Sequence, residues 1–168
     1  QCCLTYPAVS TGAIGGNHPG NSVSIWGSSV AIGGPISLDT AGTGQSLYLQ
    51  AYSGDLTVGG AINMGAGSLD LRASGNNTLG GVVNLGVGLA ASTGTVTAGD
   101  TITLGGAFVA GNGSNLTFSM GSAVNSFNFT RIDAGDTGTV SISAPTGIAQ
   151  MQSEASGGGI TAGTVSLS

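Results

Sequence analysis

The chain is nearly devoid of charge. Only two of its 168 residues are basic and seven are acidic, and lysine is absent. Charged residues make up 5% of the sequence, against about 25% in ordinary soluble domains. A net charge of −5 and two isolated arginines offer no basic stripe to which phosphate groups could bind. The composition therefore predicts that the protein does not bind nucleic acid.

Helix signals and long apolar runs are missing as well. Glycine contributes 33 residues and interrupts nearly every window, while strong helix formers such as glutamate and lysine are almost absent. Each apolar run is broken by Gly, Asn or Ser within a few positions, so we expect no transmembrane helix. The apolar fraction of 40% argues against a disordered linker, and glycine does not recur every third residue as in collagen.

Cysteine is limited to one adjacent pair, Cys2 and Cys3. Adjacent cysteines rarely bond each other, because their Cα atoms lie closer than relaxed disulfide geometry requires. They are therefore free thiols, sites of lipidation or bonds to neighbouring subunits, and such bonds would need an oxidising compartment. The first residue is Gln1, which is consistent with a mature secreted chain and equally with an excised fragment. We take Cys2 and Cys3 as candidate assembly residues.

Short strand patterns are abundant. Apolar residues at spacing two recur along the chain, as in Leu47 and Leu49 or in Val165 and Leu167. Gly-Asn, Gly-Asp, Ser-Gly and Gly-Gly words, which are typical turn signals, separate them. The pattern predicts an all-β chain built from strands of about four to six residues.

The sequence segments that predict strands and turns recur at a roughly regular interval. Residues 53–65 (SGDLTVGGAINMG) and 74–86 (SGNNTLGGVVNLG) match at seven of thirteen positions with an offset of 21. Gly-Gly pairs begin at Gly15, Gly33, Gly59, Gly80 and Gly105. Such a period is typical of a solenoid. Turns that stack on one another need glycine, either for a positive φ or for close approach of two backbones.

We therefore expect a parallel β-helix of about seven to eight short coils, each about 22 residues long. The solenoid repeats are expected over residues 23–168, most regularly over 45–110, with residues 1–22 as an N-terminal arm or cap. Asn63 and Asn84 lie one period apart and are expected to begin a hydrogen-bonded ladder. The alternative is a pilin-like β-sandwich, in which a donated N-terminal strand completes a neighbouring subunit's sheet.

Several of these words resemble a known class of repeats. GDLTVGGAIN, LDLRASGNNTLGG and GTVTAGDTITLGG are similar to the degenerate repeats of filamentous-haemagglutinin-type adhesins and autotransporter passengers. The resemblance covers residues 23–110 best and residues 111–168 loosely. It implies a right-handed parallel β-helix that a Gram-negative bacterium secretes. The short length, the paired cysteines and the near lack of charge are departures from that family.

Few residues suggest chemistry. Arg131, Asp133 and Asp136 form the most polar stretch, RIDAGD, and two carboxylates with an arginine are the minimum for acid/base cleavage of a polysaccharide. We expect instead a turn in which the aspartates bond to the backbone and Arg131 pairs with them. Asp133 and Asp136 are also candidate ligands for calcium. His18, the only histidine, is expected in a solvated loop, and no catalytic residue or cofactor is predicted.

Two further groups of residues are candidates for surface roles. Four Asn-x-Ser/Thr sequons are possible glycosylation sites, and they begin at Asn76, Asn112, Asn115 and Asn128. Trp26 and Tyr48 are expected to be packing or surface residues rather than a platform for sugars.

These features favour a structural protein over an enzyme. Solenoid ends expose strand edges and open core, and the sequence offers no helical or charged cap. End-to-end stacking would propagate as a filament, which a nearly uncharged surface opposes only weakly. We expect a secreted subunit or segment of an extracellular cell-surface filament, whose partners are its own copies. The alternatives are a glycan- or surface-binding fragment of a larger adhesin and a polysaccharide-active β-helix enzyme.

Overall fold

The structure, a computed structural model, describes residues 7–15, 22–121, 126–145, 147–150 and 157–168. Within these ranges the chain forms 21 β-strands and no helix. The strands belong to three seven-stranded sheets, in which the neighbouring strands pair in parallel. The predicted all-β class is confirmed.

Each sheet takes every third strand of the chain. Sheet 1 consists of β1 (Val9–Thr11), β4 (Val30–Ile32), β7 (Leu56–Val58), β10 (Asn77–Leu79), β13 (Ile102–Leu104), β16 (Phe127–Phe129) and β19 (Ile148–Gln150). Sheet 2 consists of β2 (Ile14–Gly15), β5 (Ile36–Ser37), β8 (Ile62–Met64), β11 (Val83–Leu85), β14 (Phe108–Ala110), β17 (Arg131–Asp133) and β20 (Gly159–Thr161). Sheet 3 consists of β3 (Ser22–Gly27), β6 (Thr43–Ala51), β9 (Ala66–Ala73), β12 (Thr93–Ala98), β15 (Asn115–Met120), β18 (Thr139–Ser143) and β21 (Thr164–Leu167).

Three consecutive strands, one from each sheet, make one coil, and the coils stack in parallel register. In sheet 1, for example, Thr57 pairs with Thr78, and Thr78 pairs with Thr103. With seven strands in each sheet, the predicted parallel β-solenoid of about seven to eight coils is confirmed. The β-sandwich alternative is wrong, because the sheets of a sandwich are antiparallel.

The N-terminal segment contributes to the stack. The described part of residues 1–22, the segment predicted as an arm or cap, includes β1 and β2. These strands pair in register with β4 and β5 of the next coil. Cys2, Cys3 and His18 lie outside the described residues.

Alternation along each strand places one face in the core. In β9, Leu69 and Leu71 are buried, whereas Asp70 and Arg72 lie on the outer side. Corresponding inward side chains of successive coils form columns along the solenoid axis. The column through sheet 3 contains Ile25, Leu49, Leu71, Val96, Phe118, Ile142 and Leu167. Because every coil adds one residue to each column, the apolar spacing of the sequence becomes a continuous core.

All four phenylalanines of the chain gather in the C-terminal half of this core. The Phe108 and Phe118 rings meet edge to face, with 5.4 Å between their centroids. Phe127 lies 5.1 Å from Phe118 and stacks on Phe129 at 5.5 Å. These separations are typical of favourable aromatic pairs, so the cluster stabilises the region in which the sequence repeat is weakest.

Gly-Gly pairs form the corner between sheet 1 and sheet 2 in four consecutive coils. The four pairs begin at Gly33, Gly59, Gly80 and Gly105. A Cβ atom on Gly60 would lie 2.4 Å from Pro35 N, and one on Gly81 would lie 2.5 Å from Ala61 N. Neither glycine has a positive φ. The second glycine of each pair is therefore required by the close approach of the coil beneath it.

The first Gly-Gly word does not belong to this corner, contrary to the prediction from the sequence. Gly15 lies within β2 and pairs with Ser37. Backbone bonds from Gly33 N to Thr11 O and from Gly34 N to Gly12 O show that Gly12 and Ala13 occupy the corner in the first coil. Ala13 carries a side chain there because no described coil lies beneath it.

The predicted asparagine pair is confirmed. Asn84 Nδ2 donates a hydrogen bond of 2.7 Å to Asn63 Oδ1 on the outer side of sheet 2. The column continues with Ser37 before Asn63 and with Val109 after Asn84, so the ladder has a single hydrogen-bonded step.

A second asparagine, which the sequence analysis did not single out, lies inside the core. Asn77 is fully buried and pairs with Leu56 and Ile102 in the neighbouring coils. Its Nδ2 atom donates to Leu71 O at 3.1 Å and to Thr97 O at 3.2 Å. Its Oδ1 atom has no hydrogen-bond partner within the described part of the chain. The side chain therefore serves as a donor to two backbone carbonyls of sheet 3.

Candidate functional site

The RIDAGD stretch forms β17 and the turn that follows it. Arg131 Nη2 lies 2.5 Å from Asp133 Oδ2, and Asp133 Oδ1 accepts a hydrogen bond of 2.9 Å from Gly135 N. Asp136 is exposed in the same turn. The expected arrangement, a backbone-bonded aspartate paired with Arg131, is confirmed for Asp133.

A calcium ion at this turn would compete with existing partners, since both carboxylate oxygens of Asp133 are engaged. Across the ranges that the structure covers, no three His, Cys, Asp or Glu side chains are grouped so that they could hold a metal ion. The same residues form no pocket, and none of them forms a helix long and apolar enough to cross a membrane.

The four sequons differ in accessibility. Asn115 is exposed at the start of β15, and Asn112 is exposed in the turn before it. Asn76 is half-buried, and its Nδ2 atom donates to Asp55 Oδ1 at 3.3 Å. Asn128 is half-buried on the outer side of β16. Asn112 and Asn115 are therefore the sequon residues that a modifying enzyme would reach most readily.

The outer side of sheet 3 carries an unusual group of side chains near its N-terminal edge. We call it the aromatic patch and define it as Trp26 on β3, Tyr48 and Gln50 on β6, and Asp70 and Arg72 on β9. In register, Trp26 pairs with Gln50 and Gln50 with Arg72, while Tyr48 pairs with Asp70. Trp26 is the only tryptophan of the chain and is 53% exposed.

Contacts between side chains join the patch residues of β6 and β9. Arg72 Nε and Nη2 donate to the two carboxylate oxygens of Asp70 at 2.8 and 2.6 Å. The guanidinium carbon lies 5.6 Å from the centroid of the Tyr48 ring, within the range of a cation–π contact. The Tyr48 hydroxyl donates to Gln50 Oε1. The hydrogen bonds to Asp70 raise the pKa of Arg72, although partial burial opposes the shift.

Beyond the aromatic patch, the outer side of sheet 3 is lined by hydroxyl groups. The outward positions of β12, β15 and β18 are Thr93, Thr95, Thr97, Asn115, Thr117, Ser119, Thr139, Ser141 and Ser143. Strand pairing aligns them in three columns along the solenoid axis. The columns continue those of the aromatic patch, since Thr95 pairs with Asp70 and Thr97 with Arg72. The face is thus polar and uncharged over three coils.

The last described coil exposes the end of the core. Val165 and Leu167 of β21 are 44% and 59% exposed, whereas their partners Val140 and Ile142 in the preceding coil are buried. Ile148 of β19, which pairs with buried Phe127, is also exposed. The apolar edge therefore consists of side chains that occupy core positions but lack a covering coil.

Comparisons with known proteins leave the family open. No protein-family model matches the chain, and no match was found among curated proteins or solved structures. The likeness to filamentous-haemagglutinin-type and autotransporter repeats stays a prediction from the sequence words, because one fold serves many unrelated functions.

Proposed function

We propose that the chain is a secreted structural subunit, or a segment, of an extracellular cell-surface filament that assembles through its end coils. The exposed apolar edge of the last described coil carries this proposal. Val165 and Leu167 are placed and oriented as core residues, yet about half of each side chain is open to solvent. One further coil would bury both and would pair the free edges of β19, β20 and β21.

The first described coil presents matching side chains. Val23 and Ile25 are half-buried and begin the two core columns of sheet 3 that end at Val165 and Leu167. In sheets 1 and 2, the columns that begin at Val9 and Ile14 end at Ile148 and Ile160. A second copy that stacks in the same register would continue all four columns with branched apolar residues, which supports head-to-tail association.

The charge distribution supports the same association. The first charged residue of the sequence is Asp39, and Glu154 is the only one after Asp136. The segments before Asp39 and after Asp136 therefore carry one charged side chain between them, so copies that approach through these segments repel each other only weakly. Secretion is supported by the likeness of the sequence repeats to those of secreted adhesins. In an oxidising compartment, Cys2 or Cys3 would add a covalent bond between subunits.

The expected result of electron microscopy on the purified chain is ordered filaments. Seven coils of about 4.8 Å each predict an axial subunit repeat of about 34 Å. The double variant Val165→Glu/Leu167→Glu places two carboxylates on the stacking edge. It is expected to weaken association by at least about 2 kcal/mol, or more than tenfold, because it removes two apolar contacts and adds charge. Sedimentation velocity measures the change.

The matched control is Val87→Glu/Leu89→Glu, which changes an apolar pair of similar exposure in the turn after β11. This variant is expected to assemble like the wild type. Wild-type chains that stay monomeric at high concentration, or equal disruption by both double variants, would contradict end-coil stacking. Loss of filaments on reduction would assign the contact to Cys2 or Cys3, whereas persistence would assign it to the coils alone.

A further inference from the structure

The aromatic patch has a composition that the solenoid core does not require. The Trp26 side chain lies on the outer side of β3 and contributes nothing to the apolar columns. Isolated apolar residues are common on protein surfaces. Here, however, the single tryptophan shares one small area with a tyrosine, a glutamine, an aspartate and an arginine. On a chain that is 5% charged and 5% aromatic, so many aromatic and charged side chains on one face are unusual, and this leads us to ask what they could bind.

The charges of the patch narrow the class of ligand. Asp70 and Arg72 neutralise each other through two short hydrogen bonds, so the patch has no net charge. The chain as a whole carries −5, which disfavours acidic polymers. Hydrogen-bonding capacity nevertheless remains, because the carboxylate and guanidinium each keep further acceptor or donor positions. A neutral ligand rich in hydroxyl groups fits these conditions.

The shape of the patch narrows the class further. The Trp26 ring offers an apolar face beside polar side chains, and one face of a hexose ring presents C–H groups while its rim presents hydroxyls. Trp26, Gln50 and Arg72 follow one another along the solenoid axis in steps of about 4.8 Å, comparable with the length of one hexose in an extended polymer. The columns of Thr95 and Thr97 prolong the same track with hydroxyl groups.

We propose that the aromatic patch binds a linear, neutral polysaccharide of extended β-linked hexoses. One hexose ring packs on the face of Trp26, and the hydroxyls of the following units bond to Gln50, Asp70 and Arg72. The polymer lies along the solenoid axis and continues over the hydroxyl columns of sheet 3. Trp26 lies on β3 of the first described coil, but its side chain is on the outer side of sheet 3 and outside the core columns that would stack. Binding and assembly are therefore tested by different variants.

The first test is a fluorescence titration of the whole chain with cellohexaose. Because Trp26 is the only tryptophan, any change in tryptophan emission reports on this position alone. A saturable change with a Kd on the order of 1 mM or lower is expected. The absence of a saturable change would overturn the proposal. Stronger, salt-dependent binding of oligogalacturonate would overturn the assignment to a neutral polymer.

Calorimetry of single variants tests whether the polysaccharide binds at the aromatic patch. Trp26→Ala is expected to weaken cellohexaose binding at least tenfold, and Trp26→Phe is expected to restore part of it. Arg72→Ala is expected to weaken binding several-fold, while Arg131→Ala leaves it unchanged. Arg131 is the control, since it also pairs with an aspartate two residues away, through one hydrogen bond instead of two, but lies on sheet 2. Unchanged binding by Trp26→Ala, or equal losses for the two arginine variants, would overturn the proposal.

Discussion

Alanine in place of Gly81 is expected to destabilise the solenoid by about 3 kcal/mol, the upper end of the usual cost of overpacking. A Cβ atom at this position would lie 2.5 Å from Ala61 N, 2.5 Å from Gly60 C and 2.6 Å from Gly60 O. All three are backbone atoms of the coil beneath, so no side-chain rotation relieves the contact. The two coils would have to separate locally, which would stretch their hydrogen bonds. Urea unfolding followed by circular dichroism measures the loss.

The matched control is Gly12→Ala, at the corresponding corner of the first coil. A Cβ atom on Gly12 meets no atom within 4 Å, and its φ is not positive. The stability of the Gly12→Ala variant is expected to stay unchanged or to rise by about 0.4 to 1 kcal/mol, because alanine lowers the conformational entropy of the unfolded chain. If Gly81→Ala unfolded at the same urea concentration as Gly12→Ala, close coil packing would not explain the repeated glycines.

The corner also shows how far the sequence could predict the fold. Spacing-two apolar pairs and the Gly-Gly period were sufficient for the all-β class, parallel stacking and the approximate number of coils. The predicted strand length of about four to six residues was wrong for sheets 1 and 2, whose strands have two or three residues, and for β6, which has nine. The same patterns were not sufficient for register in the first coil, where Gly15, the first residue of a Gly-Gly pair, lies in β2. Register depends on which backbone groups pair, and the bonds from Gly33 and Gly34 select Gly12 and Ala13 instead. A repeated sequence motif therefore indicates that a coil is present but does not determine its register with the next coil.

The aromatic patch could not be predicted from the sequence for a related reason. The spacing between paired positions changes from coil to coil, since Thr57 pairs with a residue 21 positions later and Thr78 with one 25 positions later. Without the register, Trp26, Tyr48 and Arg72 are distant polar or aromatic residues in three separate strand words. The coil brings them onto one face because all three occupy outward positions of sheet 3. Such a site follows from stacking, which a single strand word does not encode.

The exposed edge of the last described coil agrees with the open solenoid ends expected from the sequence, but the strand pattern does not show which apolar residues are exposed there. Val165 and Leu167 follow the same spacing-two rule as Val140 and Ile142, and the sequence predicts the same structure for both pairs. Burial differs because Val140 and Ile142 have a coil on each side, whereas Val165 and Leu167 have a described coil on one side only. The hydrophobic pattern of a solenoid therefore identifies core positions, while neighbouring coils decide which of them are covered.

Aspartate in place of Asn77 is expected to be among the most damaging single changes in the chain. Asn77 is fully buried, and its Nδ2 atom donates to Leu71 O and Thr97 O. An ionised carboxylate would place an uncompensated negative charge beside both carbonyl oxygens. Leaving an uncompensated charge in a core costs on the order of 3 to 5 kcal/mol. At neutral pH, Asn77→Asp is expected to lose about that much stability in urea unfolding relative to the wild type.

The pH dependence identifies the cause of this loss. Burial raises the pKa of an aspartate above its unfolded value of about 3.9, so the folded variant retains its proton where the unfolded variant has lost it. The stability of Asn77→Asp relative to the wild type is therefore expected to fall by about 1.4 kcal/mol per pH unit above pH 4, up to the folded pKa. Below pH 4 the neutral acid still donates one hydrogen bond, so much of the loss is recovered.

The variant Asn77→Leu shows how much of the loss in stability arises from the missing hydrogen bonds and how much arises from the added charge. It fits the apolar column of Leu56 and Ile102 but leaves the carbonyls of Leu71 and Thr97 without their donor. Its cost is expected to be about 1 to 3 kcal/mol at every pH, because no titratable group is added. Equal losses for Asn77→Asp and Asn77→Leu at pH 7, or no recovery of the aspartate variant in acid, would show that water reaches this position. In that case, the carbonyls of Leu71 and Thr97 would not need Asn77 as their hydrogen-bond donor. Sheets 1 and 3 would then be held together at this point by apolar packing alone.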